Sequence, residues 1–286
     1  MMDALLIQEL IPLIARAGAE DLEQAGDITS AAIFPAAQRN RAIIVARQHG
    51  IVCGVDIGAL VLQQFGADAT ITVSIRDGSA AAKGETVAEL QGSTIDLLRC
   101  ERTILNFIGR LSGIATTTSR FVQAVRHTRA RILDTRKTTP GWRHLEKYAV
   151  RCGGGENHRM GLFDMFLIKD NHIAAAGSIT EAVHGCRSYM QTQKLQAAIE
   201  VEAKSIAEVE EALALQVDRI MLDNMSLALM TRCVELVNGR IALEASGGVS
   251  LDTVKAIAET GVDYISIGAL THSSRVLDLS MEIIPD

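Results

Sequence analysis

Aromatic side chains are scarce in this chain: Phe, Trp and Tyr make up 3% of its 286 residues, although 48% of the residues are hydrophobic. A core with so few rings must be built from Ala, Leu, Ile and Val, which are the usual filling of layered α/β proteins. The length allows one large domain or two modest domains with an ample core. The composition therefore favours an α/β protein.

Patterns typical of disulfide-rich, zinc-binding and membrane proteins are also missing. The five cysteines are scattered and odd in number, and they form no CxxC pair, so we expect neither a disulfide framework nor a structural zinc site. Free thiols are typical of a reducing compartment. No apolar run reaches membrane-spanning length, and acidic Asp3 and Glu9 stand where a secretory signal would have basic residues. We therefore expect a soluble cytoplasmic protein.

The first part of the chain alternates between short β-type runs and helical patterns. An amphipathic helix is predicted at the start, with one apolar stripe formed by Leu6, Leu10, Leu13 and Ile14. Strands and one further helix are predicted at 42–47, 51–53, 55–65 (helix), 70–75 and 86–90. A long helix is predicted over 93–109, with a break at Ser112-Gly113 and a second helix to about 127. These patterns predict an α+β domain over residues 1–115.

The rhythm changes after residue 130, where six apolar runs typical of buried strands begin near 132, 165, 197, 218, 241 and 264. The last four recur at about 21–23 residues, the size of a compact βα unit, with helical patterns between them. Buried parallel strands joined by crossover helices form a (β/α) barrel. Six strands are fewer than the usual eight, so we predict a smaller or irregular barrel over 116–270. We expect the tail, 271–286, to pack back on the first domain.

Five basic residues are concentrated between positions 136 and 169 of a chain whose formal net charge is -6, namely Arg136, Lys137, His158, Arg159 and Lys169. They are interleaved with turn residues at 138–141 and 153–155, which form loops rather than a solvated helix face. Clustered cations inside an acidic protein indicate a pocket for an anion and not a surface for nucleic acid.

Residues at the C-terminal ends of the predicted strands are sorted by type, and barrel enzymes build their active sites at that face. Cations follow the early strands, carboxylates follow the middle strands, and small residues follow the last two. The carboxylates are Glu200, Glu202 and Asp223. They are candidate oxygen ligands for Mg²⁺, or they simply balance the charges of Lys169 and Arg136. Both interpretations stay open at this point.

Two glycine-containing turns after the last strands favour phosphate binding. Ser246-Gly247-Gly248 lies between a strand and a helix, and Gly268 ends the next strand. Backbone N–H groups at such turns bind phosphate, and the last two barrel strands are the usual place. A plain tight turn is the alternative, but two adjacent turns in register make phosphate binding the better interpretation.

The remaining charged residues are less specific. Arg102 lies on an otherwise apolar helical stripe, so it either extends its charge to solvent or points into a pocket or a subunit interface. Spacing alone does not separate these possibilities. Four other histidines have neither metal-type spacing nor a nucleophilic partner, and we interpret them as surface or packing residues: His127, His144, His184 and His272.

Nearly the whole chain resembles the quinolinate phosphoribosyltransferase family, also called nicotinate-nucleotide pyrophosphorylase (decarboxylating). The long motifs that carry the resemblance are GDITS at 26–30, ER-x3-N at 101–106, LSGIAT at 111–116, DTRKTTPG at 134–141, KYAVRCGGG-x-NHRMGL-x-D at 147–164, LIKDNH at 167–172, EVE at 200–202, LDNM at 222–225 and ASGG at 245–248. Trp142 replaces a residue that is usually aliphatic in the family, which is a minor departure.

The resemblance implies a two-domain homodimer with an N-terminal α/β sandwich and a C-terminal open barrel. It implies that quinolinate reacts with 5-phosphoribosyl-1-pyrophosphate and Mg²⁺, giving nicotinate mononucleotide, pyrophosphate and CO₂ in NAD biosynthesis. Quinolinate and phosphate oxygens would be bound by Arg102 from the partner subunit and by Arg136, Lys137, His158, Arg159 and Lys169. Glu200 and Asp223 would engage the ribose hydroxyls and the metal. The 5′-phosphate would be bound by Ser246, Gly247, Gly248 and Gly268.

Three other functions are alternatives to this one. A paralogue associated with molybdenum transport shares the barrel and the phosphate site, but the intact set of quinolinate-binding residues disfavours it. A Schiff-base lyase would use Lys169 at its strand end. A non-catalytic regulatory barrel would have lost at least one of the charged positions, and none is missing. Among the residues that bind substrate, catalysis is expected to rest on Lys137, Lys169, Glu200 and Asp223.

Overall fold

The computed structural model describes residues 4–284, and the chain divides into two compact units. The first consists of Pro140–Gly154 together with the described parts of Met1–Ser119 and Ser274–Asp286. The second consists of Arg120–Thr139 and Gly155–Ser273. The sequence-based domain boundaries at 115 and 270 stay predictions. Within residues 4–284, no helix combines the length and the apolar character needed to cross a membrane.

The first unit is built on an antiparallel sheet of four strands, β1 (Arg39–Ala46), β3 (Ala69–Val73), β5 (Thr86–Ser93) and β12 (Leu279–Ile284), in the order β12-β1-β5-β3. Two short strands, β2 (Gly50–Ile51) and β4 (Ala80–Ala81), form a separate pair. The strand β12 comes from the end of the chain and pairs with β1 along its whole length.

Five helices lie wholly or mostly in this unit. They are α1 (Ala4–Leu22), α2 (Ile28–Ile33), α3 (Ile57–Gln64), α4 (Thr94–Val125) and α5 (Arg143–Cys152). Within α1, three residues of the predicted stripe are buried, Leu6, Leu10 and Ile14, whereas the fourth, Leu13, is only half-buried. The predicted start of this helix, residues 1–3, lies outside the described part of the chain.

The predicted helix break at Ser112-Gly113 is wrong, because α4 runs through it without interruption. Both residues serve tertiary contacts instead. The hydroxyl of Ser112 is buried and accepts the N–H of Cys53 at 2.9 Å. A Cβ atom at Gly113 would overlap the carbonyl oxygen of Arg275, so glycine allows the chain end to approach the helix closely. A sequence pattern that usually ends a helix here marks a packing contact.

The second unit confirms the predicted six-stranded open barrel. Its parallel strands are β6 (Arg131–Leu133), β7 (Met165–Ile168), β8 (Ala198–Ala203), β9 (Arg219–Asp223), β10 (Ala242–Ser246) and β11 (Tyr264–Ser266), in the order β6-β11-β10-β9-β8-β7. Each strand pairs with the next in sequence except β6 and β7, so the barrel is open between those two edges.

Crossover helices join the consecutive strands from β7 to β11, as the short βα repeat predicts. They are α6 (Asp170–Ala176), α7 (Ile179–Gln193), α8 (Ile206–Ala214), α9 (Leu227–Val237) and α10 (Val254–Glu259), and a short helix, α11 (Ala269–His272), follows β11. Ser178, Ser205 and Ser226 cap α7, α8 and α9 through their side chains. Helix α10 begins after Thr253 and has no side-chain cap.

Candidate active site

A cavity of about 850 Å³ opens at the C-terminal ends of the barrel strands, and all of its lining comes from the second unit. The lining consists of Thr135, Arg136, Lys137, His158, Arg159, Leu167, Lys169, Glu202, Met221, Asp223, Asn224, Ser246, Gly247, Gly248, Val249, Ser266, Ile267, Gly268, Ala269 and His272.

Most of the residues predicted for the site line this one cavity. Those brought together are Arg136, Lys137, His158, Arg159, Lys169, Asp223, Ser246, Gly247, Gly248 and Gly268. Two of the predicted residues, Arg102 and Glu200, are not part of the lining. Arg102 is exposed on α4, in the first unit. Its proposed service to a partner subunit stays a prediction.

Two arginines at the cavity carry buried donors that no described residue satisfies. The Nε atoms of Arg136 and Arg159 are both buried without a hydrogen-bond partner within residues 4–284. Arg159 also donates from Nη1 to the carbonyl oxygen of Met165 at 3.1 Å, which fixes the direction of its guanidinium. Burial, together with the charge of Arg136, lowers the pKa of Arg159. Two nearby guanidinium groups with free donors form a site for an anion.

The loop that carries His158 is held against β6 by a buried carboxylate. Asp134, immediately after β6, accepts the side-chain amide of Asn157 at 2.6 Å and the N–H of His158 at 2.9 Å. Glu156 bridges to Leu133 as a short extension of the sheet. Because both oxygens of Asp134 are used inside the protein, we assign it a positioning role, which explains why an aspartate begins the DTRK motif.

Beneath the cavity, His158 meets two carboxylates that are completely buried. Its Nε2 atom lies 3.1 Å from Oε2 of Glu200 and 3.4 Å from Oε2 of Glu244. Arg219 supplies a positive charge to Glu244 at 2.9 Å. The predicted contact of Glu200 with ribose and metal is therefore not supported, since its side chain is 0% exposed and engaged with His158.

One proton is shared within this buried cluster. Burial works to lower the pKa of His158, but Glu200 and Glu244 outweigh it and raise the pKa to about 9. Burial and the neighbouring Glu244 charge raise the pKa of Glu200. The Nδ1 atom of His158 accepts the N–H of Arg159 at 2.7 Å, which requires that nitrogen to be unprotonated. The Arg159 N–H at Nδ1 limits His158 to one ring hydrogen, on Nε2, and this contact outweighs the raised pKa that the two carboxylates give the ring. Glu200, whose pKa is raised, is then the protonated carboxyl of the cluster.

Glu202 lines the cavity and Glu200 does not. Both side chains point to the same side of β8, but Glu202 lies nearer the C-terminal end of the strand, where the cavity opens. Its Oε2 atom is buried and has no hydrogen-bond partner in the described chain, and Lys169 Nζ lies 3.9 Å away. Burial raises the pKa of Glu202, and the Lys169 charge opposes that shift. Asp223 lines the same wall from the end of β9. This pair is open to a cation or a hydroxyl group.

The turn after β10 has a backbone that favours glycine. Gly247 and Gly248 have φ angles of +99° and +60°, and a Cβ atom at Gly247 would overlap the side chain of Asn224. Beyond the next strand, Gly268 lies against the stem of Lys137, where a Cβ atom would collide with Cδ. The hydroxyl of Thr271 donates to the carbonyl oxygen of Lys137 at 2.7 Å and so connects the two loops.

Sequence reasoning missed four polar lining residues, namely Thr135, Asn224, Ser266 and His272. His272 was interpreted as a surface or packing residue, yet it lines the cavity one helical turn after Gly268. That spacing was the available signal. Asn224 sits next to Asp223, donates to its Oδ1 at 2.9 Å and adopts a positive φ of 53°. The Asp170-Asn171-His172 segment caps α6, because His172 Nδ1 accepts the N–H of Lys169 at 2.9 Å.

Comparisons with known proteins agree with this geometry. Residues 27–112 match the family described as quinolinate phosphoribosyl transferase, N-terminal domain, and residues 114–282 match the corresponding C-terminal domain. Quinolinate phosphoribosyltransferase (decarboxylating) 1b of Nicotiana tabacum is 42% identical over 290 residues, which is 96% of this chain and 82% of that protein.

Bacterial relatives are equally similar. Nicotinate-nucleotide pyrophosphorylase (carboxylating) of Mycobacterium leprae is 42% identical over 275 residues, covering 94% of this chain and 95% of that protein. The crystal structure of nicotinate-nucleotide pyrophosphorylase from Ehrlichia chaffeensis matches with a TM-score of 0.89 at 42% identity, covering 96% of this chain and 98% of that one. These matches do not favour the paralogue associated with molybdenum transport. The chain belongs to the quinolinate phosphoribosyltransferase family.

Proposed function

We propose that this protein is a decarboxylating quinolinate phosphoribosyltransferase. It joins quinolinate to 5-phosphoribosyl-1-pyrophosphate and forms nicotinate mononucleotide, pyrophosphate and CO₂, a step of NAD biosynthesis. The observation that carries the proposal is the pair of buried, unpartnered Nε donors of Arg136 and Arg159 in a cavity that also holds Lys137 and Lys169. A buried donor without an acceptor costs free energy unless a ligand supplies the acceptor, and a dicarboxylate supplies several acceptor oxygens.

The cavity has separate ends for the two substrates. The cationic end, around Arg136, Arg159 and Lys169, suits the pyridine dicarboxylate. In this proposal the 5′-phosphate of the sugar binds at the Ser246–Gly248 turn and Gly268, and the ribose ring lies beside Glu202 and Asp223.

Mg²⁺ fits the carboxylate wall of the cavity. Glu202 has a buried oxygen without a hydrogen-bond partner in the described residues, and Asp223 stands beside it, so these two residues would hold the ion together with substrate oxygens. When bound, Mg²⁺ neutralises charge on the departing pyrophosphate. The role that the family resemblance gave to Glu200 thus passes to Glu202 in this proposal.

The chain's own residues then serve two chemical steps. Arg136, Arg159 and the lysines orient the pyridine so that its nitrogen attacks C1 of the ribose as pyrophosphate leaves. The nitrogen becomes a pyridinium, which accepts the electron pair left when the C2 carboxylate departs as CO₂. Lys137 and Lys169 are the cavity ammonium groups able to deliver the proton to C2. His158, held by Asp134 and Glu200, orients the neighbouring Arg159 through its Nδ1 atom.

We further propose a homodimer in which Arg102 reaches the neighbouring subunit's cavity, and a cytoplasmic location. The exposed position of Arg102 on α4 supports the first of these proposals, since a long cation on an apolar stripe is free to meet an anion outside its own unit.

A turnover assay tests the proposed function. The protein is incubated with quinolinate, 5-phosphoribosyl-1-pyrophosphate and Mg²⁺, and CO₂ and nucleotide are measured together. We expect one CO₂ for each nucleotide, and we expect Arg136→Ala and Lys169→Ala to abolish turnover while the cooperative unfolding transition is preserved. Absence of turnover in the folded wild-type protein contradicts the proposal. Loss of cooperative unfolding in either variant would identify a structural ion network rather than a site.

A further inference from the structure

Two cysteine thiols of the first unit lie side by side, and the proposed reaction uses neither. Cys53 follows strand β2 and is completely buried, whereas Cys152 is the last residue of helix α5 and is half-buried. Their sulfur atoms lie within 4.8 Å of each other. Ninety-eight residues separate them in sequence, so the fold and not local spacing creates the pair.

The carboxylate of Asp77 completes this group, but its oxygens are already engaged. Oδ2 accepts the N–H of Gly54 at 2.8 Å and the hydroxyl of Tyr148 at 2.7 Å, and Oδ1 accepts the N–H of Val55 at 3.1 Å. A metal ion would have to displace these donors to gain a third ligand. The aspartate therefore anchors the turn around Cys53 and the end of α5, which leaves the two sulfurs as the reactive groups.

The two thiols differ in pKa and in burial. Cys152 has the properties of a cysteine that reacts first with an oxidant, and Cys53 has those of the resolving cysteine that then forms the disulfide. The neighbouring side chains of Cys53 and Tyr148 lower the pKa of Cys152 in spite of its partial burial. Burial raises the pKa of Cys53 well above its usual value. A half-exposed thiolate reacts first with an oxidant, and a buried neighbour then attacks the product. Burial also raises the pKa of Cys100, Cys186 and Cys233, which makes them slower nucleophiles.

We propose that Cys53 and Cys152 form a peroxide-reactive dithiol that closes into a reversible disulfide within one chain. The Cys152 thiolate attacks one oxygen of hydrogen peroxide, the O–O bond breaks, and a sulfenic acid forms while the other oxygen leaves as water. The Cys53 sulfur then attacks the Cys152 sulfur, the S–O bond breaks, and a second water leaves. Two thiols are oxidised by two electrons in total, and one peroxide is reduced to two waters.

The test treats the full-length reduced protein with hydrogen peroxide and follows thiol titre, intact mass and the disulfide-linked peptides under non-reducing conditions. We expect the wild-type protein to lose two thiols of five, to yield a peptide joining Cys53 to Cys152, and to recover both thiols with dithiothreitol. The matched control Cys186→Ser should behave in the same way, with four thiols falling to two.

Single substitutions separate the two roles. Cys152→Ser should lose at least tenfold in its rate of thiol loss, whereas Cys53→Ser should accumulate a sulfenic acid at Cys152 that dimedone traps. Equal rates of thiol loss in Cys152→Ser and wild type, or linked peptides that involve other cysteines, would overturn the proposal. If Cys53→Ser fails to fold, the peptide map of the wild-type protein decides alone. None of these measurements depends on turnover, so their failure is distinct from failure of the proposed function.

Discussion

Glu200 and Glu244 are chemically identical and equally buried, but their surroundings assign them different charges. Glu244 has the guanidinium of Arg219 at 2.9 Å, and contacts with His158 and Ser266 lower its pKa although burial works in the opposite direction. Glu200 has a raised pKa and lies against the Nε2 side of His158. The neutral residue of the pair is therefore Glu200, and the ionised residue is Glu244.

This assignment predicts opposite outcomes for one substitution at two positions. Glu200→Gln resembles the protonated acid and should change the free energy of unfolding by about 1 kcal/mol or less. Glu244→Gln leaves Arg219 without its buried counter-charge and should cost about 3–5 kcal/mol. Urea unfolding of both variants checks the prediction. Equal losses, or a larger loss for Glu200→Gln, would place the proton elsewhere in the cluster.

Glu202 and Asp223 lead to a prediction about the metal. Removal of either negative charge weakens the wall that faces the sugar pyrophosphate, so Glu202→Gln and Asp223→Asn should raise the Mg²⁺ concentration needed for half-maximal rate by about tenfold or more. Quinolinate affinity, measured in binding experiments without Mg²⁺, should change far less. Unchanged Mg²⁺ dependence together with lost quinolinate affinity would move these carboxylates to the pyridine end of the cavity.

Two glycines in helices, one in α4 and one in α7, have different surroundings. Gly113 lies in α4 where a Cβ atom would overlap the carbonyl oxygen of Arg275, whereas Gly185 lies in α7 with nothing within 4 Å of such an atom. Gly113→Ala should therefore destabilise the protein by about 1–3 kcal/mol through overpacking.

Gly185→Ala provides the matched control at an exposed helical position. Alanine has the higher helix propensity, so this variant should gain about 0.5–1 kcal/mol of stability. Thermal unfolding of the two variants checks the pair. A gain in Gly113→Ala would mean that α4 and the C-terminal segment pack less closely than the structure indicates.

The helices and strands that the sequence predicted correctly are those that depend on local patterns. The six strands of the barrel were predictable because each is a continuous apolar run between turn signals, and the helices between them because of their period. The break assigned to Ser112-Gly113 was wrong because the contacts of those residues, with Cys53 and Arg275, are made with segments far away in sequence. No local pattern contains such contacts.

At the site, the sequence does not predict how far along its strand a side chain lies relative to the cavity. Because side chains alternate between the two faces of a strand, the sequence correctly predicted that Glu200 and Glu202 share one face of β8. Alternation does not indicate which of them lies beneath the cavity and which opens into it. His158 decides this point by covering Glu200, and the position of His158 depends on the buried carboxylate of Asp134.

At the scale of the whole molecule, the proposed dimer makes every active site composite. Arg102→Ala and Lys137→Ala should each be nearly inactive. Arg102→Ala removes a cation from the partner subunit's cavity, whereas Lys137→Ala removes a cation from the cavity of its own subunit. Mixing the two variants should restore activity, because a heterodimer has one site with both lesions and one with neither. About half of the dimers are heterodimers at full exchange, so about a quarter of wild-type activity should return.

Subunit exchange must be measured alongside activity, for example by energy transfer between differently labelled chains. Mixing wild type with itself under the same conditions gives the reference rate. No recovery of activity in spite of demonstrated exchange would mean that Arg102 serves its own subunit, and it would withdraw the composite site while leaving the cavity of the second unit unchanged.

The central claim is that the cationic end of the cavity binds two carboxylates, and the most direct test compares quinolinate with nicotinate, which has one. The measurement is kcat/KM for both compounds with 5-phosphoribosyl-1-pyrophosphate and Mg²⁺, with CO₂ recorded at the same time. Leaving a buried guanidinium without its partner costs about 1–3 kcal/mol, so nicotinate should be poorer by about tenfold or more. Quinolinate should release one CO₂ per nucleotide. Comparable use of nicotinate, without CO₂ release, would contradict the account.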